Sequence, residues 1–205
     1  MKVGVLALQG DVREHVNSLI ACGVYPTTIR RIEELDNVDA LIIPGGESTT
    51  IAQLAEHYQL LEPIKERIAQ GMPAYGSCAG MILLADRVLD AIEGQKTFGG
   101  LDITVRRNAF GRQVDSFESD IDFLDGGNEK VHAVFIRAPW VEETGNEIAT
   151  LASVIAPDGT THPVAVRSAT LLATSFHPEL TGDYRIHRYF IEEIARPALI
   201  SRGVR

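Results

Sequence analysis

The chemistry open to this chain is concentrated in Gly76-Ser-Cys-Ala-Gly80. A short apolar run, Met72 to Tyr75, precedes it, and a helical pattern, Met81 to Ala85, follows. A nucleophile framed by glycines between a strand and a helix marks the tight elbow of α/β hydrolytic enzymes. Side chains at the flanking positions would collide with the neighbouring strand and helix, so glycine suits both. The turn would set the Cys78 sulfur over the start of the next helix, where unpaired N–H groups favour thiolate over thiol. Cys22, at the end of an apolar helical face, reads instead as a small buried hydrophobe.

A thiolate nucleophile needs a base. His15, His57 and His187 sit within helical patterns, where a solvated surface position is expected; His132 opens a strand and His162 follows a turn. His177 differs, because it follows the apolar run Leu171 to Phe176 and so stands at a strand's carboxyl end. Pro178 disfavours the helical region for His177 and holds it extended. In extended chain Glu179 falls on the same side as the imidazole. Its carboxylate could accept the Nδ1 proton and leave Nε2 facing the sulfur. The turn Pro44-Gly-Gly-Glu-Ser48 has two readings. It is either a strand-to-helix turn capped by Ser48, or a loop whose main-chain N–H groups near Gly46 join that of Ala79 around an oxyanion. It lacks the Lys-Ser/Thr of a phosphate-binding loop.

The elements that must hold these residues alternate. Residues 2–8 form an apolar strand; Asp11 can cap a helix running to about Cys22, with Val12, Val16, Leu19 and Ile20 on one face. Val24–Arg30 and Val38–Ile43 read as strands, with helices from Ile51 and over Pro63–Gln70. Such alternation predicts a mostly parallel sheet covered by helices on both faces, with functional loops at the strands' carboxyl ends. The later runs Leu101–Arg106, Val131–Ile136, Ile148–Ile155, Pro163–Val166 and Leu171–Ser175 read as antiparallel extensions. Their turn signals are Asp125-Gly-Gly127, Glu143-Thr-Gly-Asn146 and Asp158-Gly159. A helix from Tyr184 to about Ala195 is expected to stop at Pro197. Residues 1–205 read as a single three-layer α/β domain.

With 19 basic and 28 acidic residues, the net charge of −9 is spread along the chain. That excludes nucleic acid and anionic membrane as partners, since both need a concentrated basic surface. Two cysteines without C-x-x-C spacing argue against a disulfide scaffold and a metal site, and fit a reducing cytoplasm. No leader-like start and no run of about 18 apolar residues is present, so a cytoplasmic location is expected.

The elbow with a later His-Pro-Glu resembles the class I (triad) glutamine amidotransferases. More narrowly, the chain is similar to the glutaminase subunits of two-component pyridoxal 5′-phosphate synthases. The matching segments are Val3–Asp11, Pro44–Thr50, Tyr75–Gly80, Arg107–Gln113, Phe135–Pro139 and Ser175–Thr181, with Ser77 where threonine is common. Residues 119–130 match no motif. The resemblance implies the flavodoxin-like fold of that superfamily, with Cys78 as nucleophile, His177 as acid/base and Glu179 as its orienter. It implies that Gly46, Glu47, Ser48, Arg107, Ile136 and Arg137 contact L-glutamine, and that no cofactor or metal is needed. An arginine would suit the α-carboxylate and a glutamate the α-ammonium. It further implies a partner, a separate synthase chain that takes up ammonia to make pyridoxal phosphate. A stand-alone cysteine hydrolase, a non-catalytic binding module and a subunit feeding a different synthase are the alternatives. The Ala7–Asp11 start and the Arg107–Gln113 segment argue against the last.

Overall fold

The first half of the chain winds as its alternation predicts: β1 (Val3–Leu6), α1 (Val12–Ala21), β2 (Pro26–Ile29), α2 (Ile32–Leu35), β3 (Ala40–Ile43), α3 (Ser48–His57), α4 (Leu61–Ala69), β4 (Ala74–Ser77) and α5 (Ala79–Leu84). The computed structural model describes residues 1–110, 116–124, 129–156 and 158–203. The predicted turn Asp125-Gly-Gly127 and the Gly111–Gln113 end of one matching segment lie outside the described residues. The second half adds β5 (Ala85–Leu89), β6 (Leu101–Arg106), β7 (Ser116–Ile121), β8 (Val131–Ile136), β9 (Trp140–Thr144), β10 (Ala149–Ile155), β11 (Thr161–Arg167) and β12 (Leu171–Thr174).

The main sheet has the order β10-β11-β12-β4-β3-β1-β2. The last run was expected among antiparallel extensions, yet β12 pairs parallel with β4 (Leu172 opposite Tyr75) and antiparallel only with β11. Six of the seven strands therefore run one way, with β11 alone opposed, and the carboxyl ends of β1, β3, β4 and β12 share a rim. Alternation along these strands feeds two cores. Leu41, Ile43, Ala74 and Ala173 pack with α3–α5, while Ala40, Ile42, Tyr75 and Leu172 pack with α1 and the C-terminal helices. This is the three-layer, mostly parallel architecture expected. Two smaller sheets flank it, β5-β6-β9 and the β7-β8 hairpin. The Glu143–Asn146 turn consequently joins two different sheets rather than closing a hairpin.

The C-terminal helix does not stop at Pro197. It runs as α6 (Arg185–Tyr189), a π-helical stretch over Phe190–Ala195, and α7 (Arg196–Ser201). In a regular helix Pro197 would press its ring on the Glu193 carbonyl and offer it no N–H. The widened turn accommodates the ring, and Arg167 Nη2 donates to the Glu193 oxygen at 3.5 Å.

The join between β4 and α5 holds the site on the rim. A Cβ on Gly76 would overlap the Gly80 carbonyl, and a Cβ on Gly80 would overlap the Ile43 carbonyl of β3. Main chain meets main chain at both points, so no rotamer change could make room. Replacing Gly80 by alanine is expected to destabilise the fold by about 3 kcal/mol, the upper range for overpacking a rigid core. Chemical denaturation against the parent protein measures this.

Candidate active site

Cys78 leads α5 with φ 49° and ψ −102°, a backbone region that L residues rarely occupy. Such strain typically costs about 1–3 kcal/mol and persists only where surrounding packing over-determines it. Here the glycine contacts on either side do so. The sulfur lies 3.8 Å from the Ile136 carbonyl at the end of β8. It opens into a cavity of about 340 Å³ lined by residues from separate parts of the chain. Gly46, Glu47 and Ser48 come from the β3 loop, Cys78 and Ala79 from the elbow, Arg107 from beyond β6, Ile136 and Arg137 from β8, and His177 from beyond β12. Glu179 lies behind the imidazole, its side chain fully buried.

His177 Nδ1 is 2.8 Å from Glu179 Oε1, but not through extended chain as expected. Pro178–Leu180 form a single 3-10 turn, and it is this turn that folds the carboxylate back onto the ring. The His177 main chain is pinned separately, its N–H donating to the Val134 carbonyl of β8 at 2.9 Å. A second carboxylate was not foreseen in this place. Asp11 starts α1 without a side-chain cap bond, and its Oδ2 instead lies 3.3 Å from His177 Nδ1. Two carboxylates thus gather at the Nδ1 edge of the imidazole. Burial alone would lower its pKa, but hydrogen bonds with Asp11, Cys78 and Glu179 push it up to about 12. The Glu179 carboxyl is raised by burial, against the hydrogen bond and charge of His177. Asp11, His177 and Glu179 bring three potential metal ligands within 4.8 Å, and the His177–Glu179 pair has the spacing of a charge-assisted hydrogen bond.

The β3 loop is a strand-to-helix turn, but its cap is not the expected one. Glu47, not Ser48, caps α3, its carboxylate accepting from Thr49 N (3.2 Å) and Thr50 N (2.6 Å). These bonds outweigh burial and lower its pKa. Arg107 is tied in as well, donating to Glu47 Oε1 at 3.2 Å and to Gln95 Oε1 at 2.6 Å. Gln95 passes the link on to the Ser48 hydroxyl at 3.1 Å. The Glu47 N–H donates to Gln9 Oε1 at 2.8 Å. Gln9 stands directly after the β1 run, at a strand's carboxyl end on the rim expected to carry the functional loops, whereas Gln95 and Asn108 were not anticipated.

Residues 5–196 match the SNO glutamine amidotransferase family. Two relatives named pyridoxal 5′-phosphate synthase subunit PdxT are similar over nearly their whole length. One, from Kineococcus radiotolerans, is 59% identical over 94% of this chain and 94% of its own. The other, from Acidothermus cellulolyticus, is 58% identical over 97% and 96%. A crystal structure described as a glutamine amidotransferase superposes with a TM-score of 0.84 at 46% identity, covering 93% of this chain and 97% of that one. The chain belongs to the SNO glutamine amidotransferase family. No helix among the described residues is long and apolar enough to cross a membrane.

In this family member, two histidines expected at the surface are wholly buried. His15 Nδ1 lies 2.9 Å from His187 Nε2, and His15 Nε2 lies 2.9 Å from Ser77 Oγ. The signal was the helical period: His15 falls at i+3 from Val12 and four before Leu19. Ser18 takes the inward place expected of Ile20, which is exposed. His57 is exposed as expected. Cys22 is half-buried against the Tyr184 carbonyl, in keeping with a structural part.

Burial lowers His187 to about 4, and burial with the charges of His187 and His177 lowers His15 too. An unfolded chain binds these protons near pH 6.5 while the fold refuses them, so stability falls as pH drops from 6.5 towards 4. His177 acts oppositely: its contribution is complete below 6.5 and is lost as pH rises towards about 12. Urea unfolding at pH 6.5 and pH 4 should show His187 alone removing about 3 kcal/mol, and His187→Gln should lose correspondingly less.

Proposed function

We propose that this chain is the glutaminase subunit of a pyridoxal 5′-phosphate synthase, hydrolysing L-glutamine and delivering ammonia to a separate synthase chain. The observation that carries this reading is the single cavity into which Cys78, His177, Glu47 and Arg107 all open. Family membership and the names borne by its relatives support the same assignment.

Cys78 is the nucleophile. An imidazolium held beside the sulfur favours thiolate, and the raised His177 pKa supplies that charge. Attack on the side-chain amide carbon gives a tetrahedral oxyanion, for which Ala79 and the Gly46 turn offer main-chain N–H groups. His177 then gives its proton to the departing nitrogen, the C–N bond breaks, and ammonia leaves a γ-glutamyl thioester. Water, deprotonated by the same ring, cleaves the thioester to glutamate and restores the thiolate. Glu179 keeps the ring in place and its Nε2 towards the sulfur.

Glu47, Ser48, Arg107, Ile136 and Arg137 form the glutamine pocket. Arg107 and Arg137 supply positive charge for the α-carboxylate, and Glu47 supplies negative charge for the α-ammonium. The chain acts as one domain, in the cytoplasm, without a cofactor. Ammonia in neutral water becomes non-nucleophilic ammonium, so release into a docked partner suits the product. The Glu47 N–H is committed to Gln9. That bond supports an oxyanion hole completed only when the synthase docks.

Glutamine turnover is expected to be low for the chain alone and to rise at least about tenfold with the synthase, a modest share of what one oxyanion donor contributes. Cys78→Ala should abolish it in both states. Ammonia release measured with and without the synthase checks both outcomes, and full turnover by the isolated chain would contradict the reading.

A further inference from the structure

Behind the catalytic set lies a buried polar node that the reaction as described does not use. His15 of α1 touches Ser77, the residue before the nucleophile, on one side and His187 of α6 on the other. Its Nε2 is also 3.5 Å from Glu179 Oε1, the same oxygen that holds His177. Ser77 Oγ in turn accepts the Gly45 N–H at 3.0 Å and so fixes the β3 loop. One ring therefore lies between the nucleophile strand, the oxyanion-side loop and the orienting carboxylate. Tyr75 packs edge-on against both histidines and bonds Thr174 with its hydroxyl.

The proton arrangement follows from what is left unpaired. Both rings are neutral, so they share two protons among four nitrogens, and His187 Nδ1 has no hydrogen-bond partner among the described residues. Were His15 to donate from Nδ1, His187 would bury an N–H with no acceptor, and the bare Nε2 of His15 would face a carboxylate oxygen. A buried orphan N–H is rarer and costlier than an unused lone pair. The opposite arrangement removes both faults: His187 Nε2–H donates to His15 Nδ1, and His15 Nε2–H points at Ser77 Oγ and Glu179 Oε1. The Ser77 hydroxyl then accepts from two N–H groups, its own rotatable O–H directed away from His15.

We propose that His15 is a positioning residue of this site, its Nε2–H tying the strand that carries Cys78 to the Glu179 carboxylate and so setting the place of the His177 ring. The proposal rests on reading Cys78, His177 and Glu179 as the catalytic set. His187 acts through it by fixing the tautomer. Neither ring meets glutamine.

The two ring nitrogens can be tested separately, because a glutamine amide reaches the place of Nε2 and an asparagine amide only that of Nδ1. The readout is alkylation of Cys78 by iodoacetamide in the full chain, which needs neither glutamine nor a partner, with melting temperatures measured alongside. His15→Asn should slow alkylation about tenfold and His15→Gln by no more than about threefold, a small displacement of reacting groups sufficing for losses of this size. The two variants should melt alike. Equal rates in both, or a parent-like rate in His15→Asn, would overturn the proposal. Ser77→Ala keeps the imidazole but removes its partner, and a parent-like rate there would overturn it too. If parent Cys78 reacts no faster than Cys22, the reading of Cys78 as nucleophile fails first and the proposal falls with it.

Discussion

At the elbow main chain packs directly on main chain, where Gly80 of α5 lies against the Ile43 carbonyl and Gly76 against Gly80 itself. That contact forces the chain through the strained turn at Cys78 and fixes α5 on β3 and β4 together. Everything in the cavity is placed relative to it. The β3 loop starts immediately after Ile43, and β12, which delivers His177, pairs in register with β4. Three neighbouring parallel strands thus bring loop, nucleophile and base to one rim through backbone geometry alone.

Side chains then join the loops to one another. Gln9 and Asp11, just beyond β1, reach the Glu47 N–H and the His177 ring. Arg107 and Gln95 link the segment beyond β6 to the β3 loop. β8 holds the His177 main chain and offers its last carbonyl near the sulfur. The two flanking sheets therefore do more than extend the fold: each contributes one wall of the pocket.

Much of this could be read from sequence because glycine spacing and apolar runs report backbone constraints directly. The elbow, the position of His177 at a strand end and the parallel first half are of that kind. The direction of β12 was not legible, since a four-residue apolar run pairs equally well either way. His15 and His187 were misplaced by residue type, although each keeps helical spacing with core-facing neighbours: half-buried Val12 and buried Leu19 for the first, Phe190 and Ile194 for the second. Polar residues on an apolar face look like exceptions until their partners are known, and those partners lie 62 and 172 residues away. Asp11 was legible as a helix start but not as a neighbour of His177, because capping is local and the second contact is tertiary. The 3-10 turn at Pro178 shows the converse, since the side expected for Glu179 was right while the conformation producing it was different.

Gly45 gives the loop and the imidazole a mechanical relation. The space that its side chain would fill is occupied by Cε1 and Nδ1 of His177. Loop and ring consequently share one volume, and neither can tilt towards the other independently. A rearrangement that turned a main-chain N–H of the Gly45–Gly46 segment towards the sulfur would move against the face of the ring. Movement at the outer edge of this loop and alignment of the base inside it are then two ends of one lever, with a missing methyl group as its fulcrum.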